Sequence, residues 1–434
     1  MEKKEFEQLN KLIYSSFANG AAYVPSWYEA QDYIIKKFEM LFKDSKKKLT
    51  TETKNEIKIY QRTIDSILWL YLKREPSDVR KFFGDKQHVF DLRNHNLEKH
   101  LDFSKEIKNK FTDIFALISD LGSNINTGDV IAIGPNIPFA IPIEIKSGKV
   151  NEMLLASIVS KAEGNSQNYD EFVDSPRFSK QLQRIERQQT ELKETMELYV
   201  TNESENNRGS RYVIINDYDS EYFDEELSKL VHKANEDGQA SILVDDCLLL
   251  VGSRIDNEKF DPTKIFSQYI DKDGQNSLVY STFSIDTREK PQCCPLIALN
   301  IGIDEKYLLS NGDIFIMFMF MGEKFCDKYS NESYTLKFVP DIKDAFRLQY
   351  HEDDITSLRS GYNLIMFNNE GRTLKAGDGL FNRIFDNLQK PSTVAKVQEI
   401  LFEEFYQNVS SFKDKAKIKS EKLARKIPQD DDDE

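Results

Sequence analysis

At 434 residues, with 39% hydrophobic and 30% charged side chains, the chain has material for two or three domains and a sizeable core. A net charge of −14 excludes a broadly basic surface, so any contact with nucleic acid must come from a local positive groove. No apolar run approaches the roughly 18 residues of a membrane span, and MEKKEFEQLNKLIYSSF lacks a signal-peptide core, so we expect a cytoplasmic protein without membrane attachment.

Taken in order, residues 1–90 read as a helical N-terminal region. Phe6, Leu9, Leu12 and Ile13 share one face of a first helix, which Asn19-Gly20 and Pro25 interrupt. A second helix begins after Ser26, and a third spans about Thr53 to Lys73, where Ile57, Tyr60, Ile64, Ile67, Leu68 and Tyr71 recur at helical spacing. The run Lys46-Lys47-Lys48 between them reads as a solvated loop. LEKHLDFSKEIKNK, from Leu97 to Lys110, is a further helix, and FTDIFALISDLGSN after it fits either the end of that helix or a first strand. A hairpin over 128–148 follows, then a helix near 151–162 and a long amphipathic helix from about Ser179 to Tyr199. Strand RYVIIND, helix EYFDEELSKLVHKANEDG and strand SILVDDCLLLVGS then suggest one mixed α/β sheet covered by helices, closing a core over 91–255. Asp245-Asp246 within it reads as a turn between two strands.

Residues 256–410 carry strand-like runs in SLVYSTFSI, DIFIMFMFM and YNLIMFNN and a helix near Thr393–Val409, giving a C-terminal α+β portion. DIFIMFMFM, though apolar, is short and flanked by charge, as a buried central strand would be. Residues 411–434 form a basic helix and an acidic tail, expected to be partly disordered. The fold class is therefore α/β, α+β overall.

Chemistry concentrates in GDVIAIGPNIPFAIPIEIKSG, residues 128–148. Side chains alternate along a strand, so Glu144 and Lys146 project together while Ile143 and Ile145 point to the opposite face. If the chain folds back about the Asn136-Ile137 bond, Asp129 falls opposite Glu144, with Cβ atoms roughly 4.5–5.5 Å apart. Two carboxylates that close repel one another unless a cation joins them, and Mg²⁺ suits oxygen ligands with room left for water and phosphate. The five histidines contain no HExxH, and His95 and His100, five apart, share a helix face poorly. GxxxxGK[ST] and GxGxxG are absent from the sequence, so no nucleotide cofactor is expected. Cys247, Cys293, Cys294 and Cys326 contain no CxxC and read as reduced thiols.

Gly128-Asp129, a hairpin's separation, and then Glu144-Ile145-Lys146 on a strand resemble the signature of the PD-(D/E)XK nuclease superfamily, with Gly128 where the family name has Pro. The resemblance covers about residues 95–255 and implies a restriction-endonuclease-like mixed sheet flanked by helices. It further implies an Mg²⁺-dependent endonuclease, with Mn²⁺ as a substitute, that hydrolyses phosphodiester bonds in DNA. Asp129 and Glu144 would hold the metal, Lys146 would position or deprotonate the nucleophile, and an acid from the first core helix, Glu98 or else Glu106, would join them. Gln181, Arg184 and Gln188 in SKQLQRIERQQ lie at i, i+3 and i+7 and would face the scissile phosphate from one side of a helix. The implied setting is prokaryotic defence against phage or foreign DNA, alone, as a homo-oligomer or with a partner subunit. RNA as substrate, an inactive scaffold and a partner-activated nucleic-acid-binding subunit are the alternatives.

Overall fold

The computed structural model describes residues 2–18, 24–44, 49–79, 81–83, 97–123, 125, 127–136, 140–145, 190, 203–205, 211–213, 219–269, 278–283, 293–340, 362–368, 373–376 and 381–403. Three long helices come first: α1 (Lys3–Ala18), α2 (Val24–Asp44) and α3 (Thr51–Tyr71). The apolar positions read from the sequence do the packing, since Phe6, Leu9 and Ile13 of α1 and Ile57, Tyr60, Ile64, Ile67 and Leu68 of α3 are all buried. α3 starts at Thr50, whose hydroxyl accepts from the Thr53 N–H at 3.2 Å. From Tyr60 to Leu70 every residue of α3 is buried, so this helix is a central rod and not an amphipathic cover. Polar members bond inside the protein: Gln61 donates to the Gly122 carbonyl at 2.8 Å, Arg62 to Asp65 at 2.9 Å and Ser66 to the Arg62 carbonyl at 2.9 Å.

After the short helix α4 (Pro76–Val79), α5 (Leu97–Lys110) leads into β1 (Phe115–Ile118), so FTDIFALISD contains a strand. β1, β2 (Val130–Ile133) and β3 (Ile141–Ile143) form an antiparallel meander in the order β1-β2-β3. β1 is thus an edge, and its outward backbone is met by side chains. Tyr28 of α2 accepts from the Ala116 N–H at 3.0 Å and donates to the Ile114 carbonyl at 3.1 Å. Gln31 accepts from the Ile118 N–H at 3.0 Å and donates to the Ala116 carbonyl at 3.2 Å, joined there by Ser104 of α5 at 3.1 Å. These side chains stand in for a neighbouring strand, which closes an edge that would otherwise invite pairing.

The remaining strands do not extend this meander. β4 (Glu203–Glu205) and β5 (Arg211–Val213) pair only with each other in the sheet order. β6 (Gln239–Val244) and β7 (Leu248–Arg254) follow helix α6 (Asp224–Asp237) and join β8 (Leu278–Phe283) and β9 (Ile314–Met321) in a second sheet, ordered β6-β7-β9-β8. The single mixed sheet expected up to residue 255 is therefore replaced by separate sheets, and among the described strands every pairing is antiparallel. The reason is visible at Asp245-Asp246: both have positive φ, 48° and 58°, so β6 turns straight back into β7 through the three-residue loop Asp245-Asp246-Cys247 and needs no crossover. One sheet thus takes strands from both sides of residue 255.

β9 is the central strand expected of IFIMFMFM, flanked by β7 and β8, with Phe318 and Phe320 fully buried. Helix α7 (Ile303–Asn311) precedes β9 and ends at Gly312, whose φ of 78° is the left-handed cap expected of Asn-Gly. β10 (Tyr334–Pro340), β11 (Tyr362–Asn368) and β12 (Thr373–Ala376) make a third antiparallel sheet, and a last helix covers 391–403. Helices and antiparallel sheets share one large apolar core, which makes the fold α+β. No helix among the described residues is long and apolar enough to cross a membrane.

Candidate active site

The register of β2 against β3 pairs Val130 with Ile143, Ile131 with Pro142 and Ala132 with Ile141. The ladder ends at the Val130–Ile143 pair, with Asp129 just before it on one strand and Glu144 just after it on the other. The Asp129 N–H donates to the Ile143 carbonyl at 2.8 Å, and its Oδ2 accepts from the Ile145 N–H at 2.6 Å, so the carboxylate is tied across to the strand that carries Glu144. Both residues are half-buried, leaving part of each carboxylate toward solvent.

Gly128 makes this geometry possible. Its φ is +72°, and a Cβ there would lie 3.0 Å from the Ile143 nitrogen and 3.1 Å from its oxygen. Proline, with φ held near −65°, does not fit this backbone, so Gly128 is a structural requirement of this hairpin and not a neutral replacement.

The neighbours of the pair come from outside the motif. His100 projects from the buried face of α5, which it shares with Leu97 and Ser104. Its Nδ1 stands 3.2 Å from Oδ2 of Asp120, and its Nε2 stands 4.0 Å from Oδ1 of Asp129. Burial alone would pull the imidazole pKa down. Asp120 and the charges of Asp129 and Glu144 outweigh it, and the pKa is raised above the ordinary histidine value. Asp120, Asp129 and Glu144 thus all act on this one imidazole.

Of the residues read from the sequence, the structure brings Asp129 and Glu144 together. Glu98 lies exposed in the first turn of α5, two residues and so about 200° from His100 around the helix, and is not brought to them. Glu106 is also exposed and pairs with Lys110 at 2.5 Å. Lys146, Gln181, Arg184 and Gln188 lie outside the described residues. His100 and Asp120 were missed by motif reading. The signal available was the placing of His100 at the i+3 position between Leu97 and Ser104 on the core-facing side of α5.

The donor chemistry suits a hard divalent ion, with carboxylate oxygens from Asp129 and Glu144 and the Nε2 of His100 beside them. Among the described residues no group of three or more His, Cys, Asp or Glu stands close enough to hold an ion by itself. An ion bound here would complete its coordination with water and substrate oxygens, which is the habit of Mg²⁺.

Fold and site thus define a helix leading into an antiparallel meander, with the carboxylates of Asp129 and Glu144 at one end of its second hairpin. Compared with protein-family models, curated protein sequences and solved structures, the chain finds no match in any of the three.

Proposed function

We propose that this protein is a metal-dependent endonuclease that hydrolyses phosphodiester bonds in DNA, with a role in defence against foreign DNA. The observation that supports the reading is the tie between Asp129 and the chain that carries Glu144, in which Asp129 Oδ2 accepts from the Ile145 N–H at 2.6 Å, at the end of a hairpin whose next residues include Lys146. Mg²⁺, when bound, supplies charge stabilisation at the phosphate and lowers the pKa of water. Asp129 and Glu144 hold it, with Asp129 kept in place by the Ile145 N–H. Lys146 orients the attacking water or takes its proton, and Arg184 neutralises phosphate charge.

Mg²⁺-dependent cleavage by the purified protein is expected to vanish in Asp129→Ala, Glu144→Ala and Lys146→Ala. Cleavage retained in all three would sink the reading. Panels of duplex DNA, single strands and RNA decide the substrate.

A second reading, a subunit that cleaves only with a basic partner, is favoured by one observation. Three of the four lysines of α5 meet acids of the same chain: Lys105 with Asp102 at 3.7 Å, Lys108 with Asp32 at 3.5 Å and Lys110 with Glu106 at 2.5 Å. This flank therefore offers little net positive potential to a phosphate backbone. Salt-dependent DNA affinity measured with and without co-purified proteins separates the two readings.

A further inference from the structure

We propose that the solvent face of the third sheet, β10-β11-β12, is a binding platform for single-stranded DNA, on which Phe367 stacks a base and Lys337 meets a neighbouring phosphate. The choice of DNA rests on the nuclease reading of Asp129 and Glu144; the platform itself lies in a different sheet.

Alternation along the strands gives this sheet two faces. Tyr334 and Leu336 of β10 and Met366 of β11 are buried. On that side the Tyr334 hydroxyl donates to Glu399 Oε2 at 3.2 Å, and a helix over Gly322–Tyr329 packs against β10. Thr335 and Lys337, which alternate with the buried pair, are exposed, while Ile365 and Phe367 on either side of Met366 are half-buried. The ladder pairs Thr335 with Phe367 and Lys337 with Ile365, so these four residues form one outward block.

Within the block Lys337 is the diagonal neighbour of Phe367, and its Nζ stands 5.6 Å from the ring centroid. A lone apolar residue on a surface strand needs no function. Here an aromatic ring adjoins a second apolar side chain and a cation, the combination by which single strands are held: a base stacks on the ring and the ammonium takes phosphate charge. A duplex keeps its bases stacked on one another and offers the ring nothing.

Charge singles out the same sheet. The chain has 73 acidic against 59 basic residues, yet β10, β11 and β12 contain Lys337 and Lys375 and no Asp or Glu. In the ladder Ile365 pairs with Lys337 on one side and Lys375 on the other, which sets both lysines in one row. The acids that adjoin the strands in sequence, Glu332, Asp341, Glu370 and Asp378, fall outside them. Three short strands thus carry the local positive charge that the chain as a whole lacks and that a phosphate backbone requires.

The test is fluorescence anisotropy of the full-length chain with labelled oligothymidylate about 12 nucleotides long, in EDTA so that binding is read without cleavage. Phe367→Leu, which keeps an apolar side chain, is expected to weaken binding about 10-fold, and Phe367→Tyr to keep it. Lys337→Gln, at an exposed position, is expected to flatten the slope of log affinity against log salt by about 0.7, the share of one phosphate on a single strand, whereas Phe367→Leu leaves the slope unchanged. Wild-type affinity and slope in both Phe367→Leu and Lys337→Gln overturn the proposal. So do equal losses in Phe367→Leu and Phe367→Tyr, tighter binding of the matching duplex, or tighter binding of oligouridylate. The same oligonucleotide incubated with Mg²⁺ reports cleavage separately. Variants that bind as wild type while cleavage is lost in Asp129→Ala remove this inference alone. Variants that behave as expected in a chain that cleaves no strand with Mg²⁺ overturn the nuclease reading and leave the platform standing.

Discussion

Lys306 in α7 is fully buried, and its Nζ donates to Asn10 Oδ1 and to the Ile297 carbonyl, both at 2.9 Å, above the ring of Tyr14 at 3.8 Å. Burial, helped by the nearby Arg74 charge and opposed by Asp224 and Cys294, pulls its pKa down from 10.5 to about 7. A folded-state pKa below the unfolded value means that the unfolded chain holds the proton more tightly. Below pH about 7 both states are protonated and the cost of the buried ammonium is fully present; between about 7 and 10.5 it is progressively relieved, so this lysine makes stability rise with pH. The slope approaches about 1.4 kcal/mol per pH unit. The buried thiols act oppositely: burial raises Cys247 and moves Cys326 to about 12, while unfolded thiols ionise near pH 8.5. The measurement is therefore urea unfolding of wild type and Lys306→Met between pH 7 and 8.5, taken as a difference so that shared titrations cancel. Met keeps the length of the side chain without the charge, and the donors lost to Asn10 and Ile297 add an offset of about 1–3 kcal/mol that does not change with pH. Wild type should gain about 2 kcal/mol on the variant across that window. Parallel curves would refute the reasoning.

The structure makes three further predictions. Asp65→Ala leaves Arg62 buried without the carboxylate now 2.9 Å away and should cost about 3–5 kcal/mol in denaturant unfolding, far more than a surface Asp→Ala. Gly128→Pro should abolish the β2–β3 hairpin and any metal affinity, whereas Gly128→Ala, strained by its φ of +72°, should cost about 1–3 kcal/mol by thermal melting. Removing the Tyr28 hydroxyl in Tyr28→Phe leaves the Ala116 N–H unmet, so hydrogen exchange at Ala116 should accelerate by about 10-fold while amides inside β9 keep their protection.

The hairpin was legible from residue types alone because its register depends on a local quantity, the number of residues between two β-branched runs; fold-back at Asn136-Ile137 leaves one pairing, and the structure has it. Helix positions were legible for the same reason: α5 covers Leu97–Lys110 as its apolar spacing indicates. The partners of the site were not. His100 is 29 positions before Asp129, and only the docking of α5 on the meander brings them to 4.0 Å. The sheet order was hidden too, because pairing β7 with β9 joins Leu248 to Phe320 across a separation in which periodicity carries no information. The burial of the polar residues of α3 was not legible either, since it follows from packing by α1, α2 and the 296–298 turn.

Tyr28 and Gln31 reach from α2 to the backbone of β1, and this bears on modularity. A chain cut near residue 91, at the start of the region that carries the motif, would keep every residue of the meander and lose the groups that finish its first edge. The helices ahead of residue 91 are therefore a wall of the site's own sheet and cannot be exchanged as an appendage. Among the described residues the β1 side of that sheet is closed by side chains, which leaves the flank of β3 as the edge that a further strand, of this chain or of another, would join.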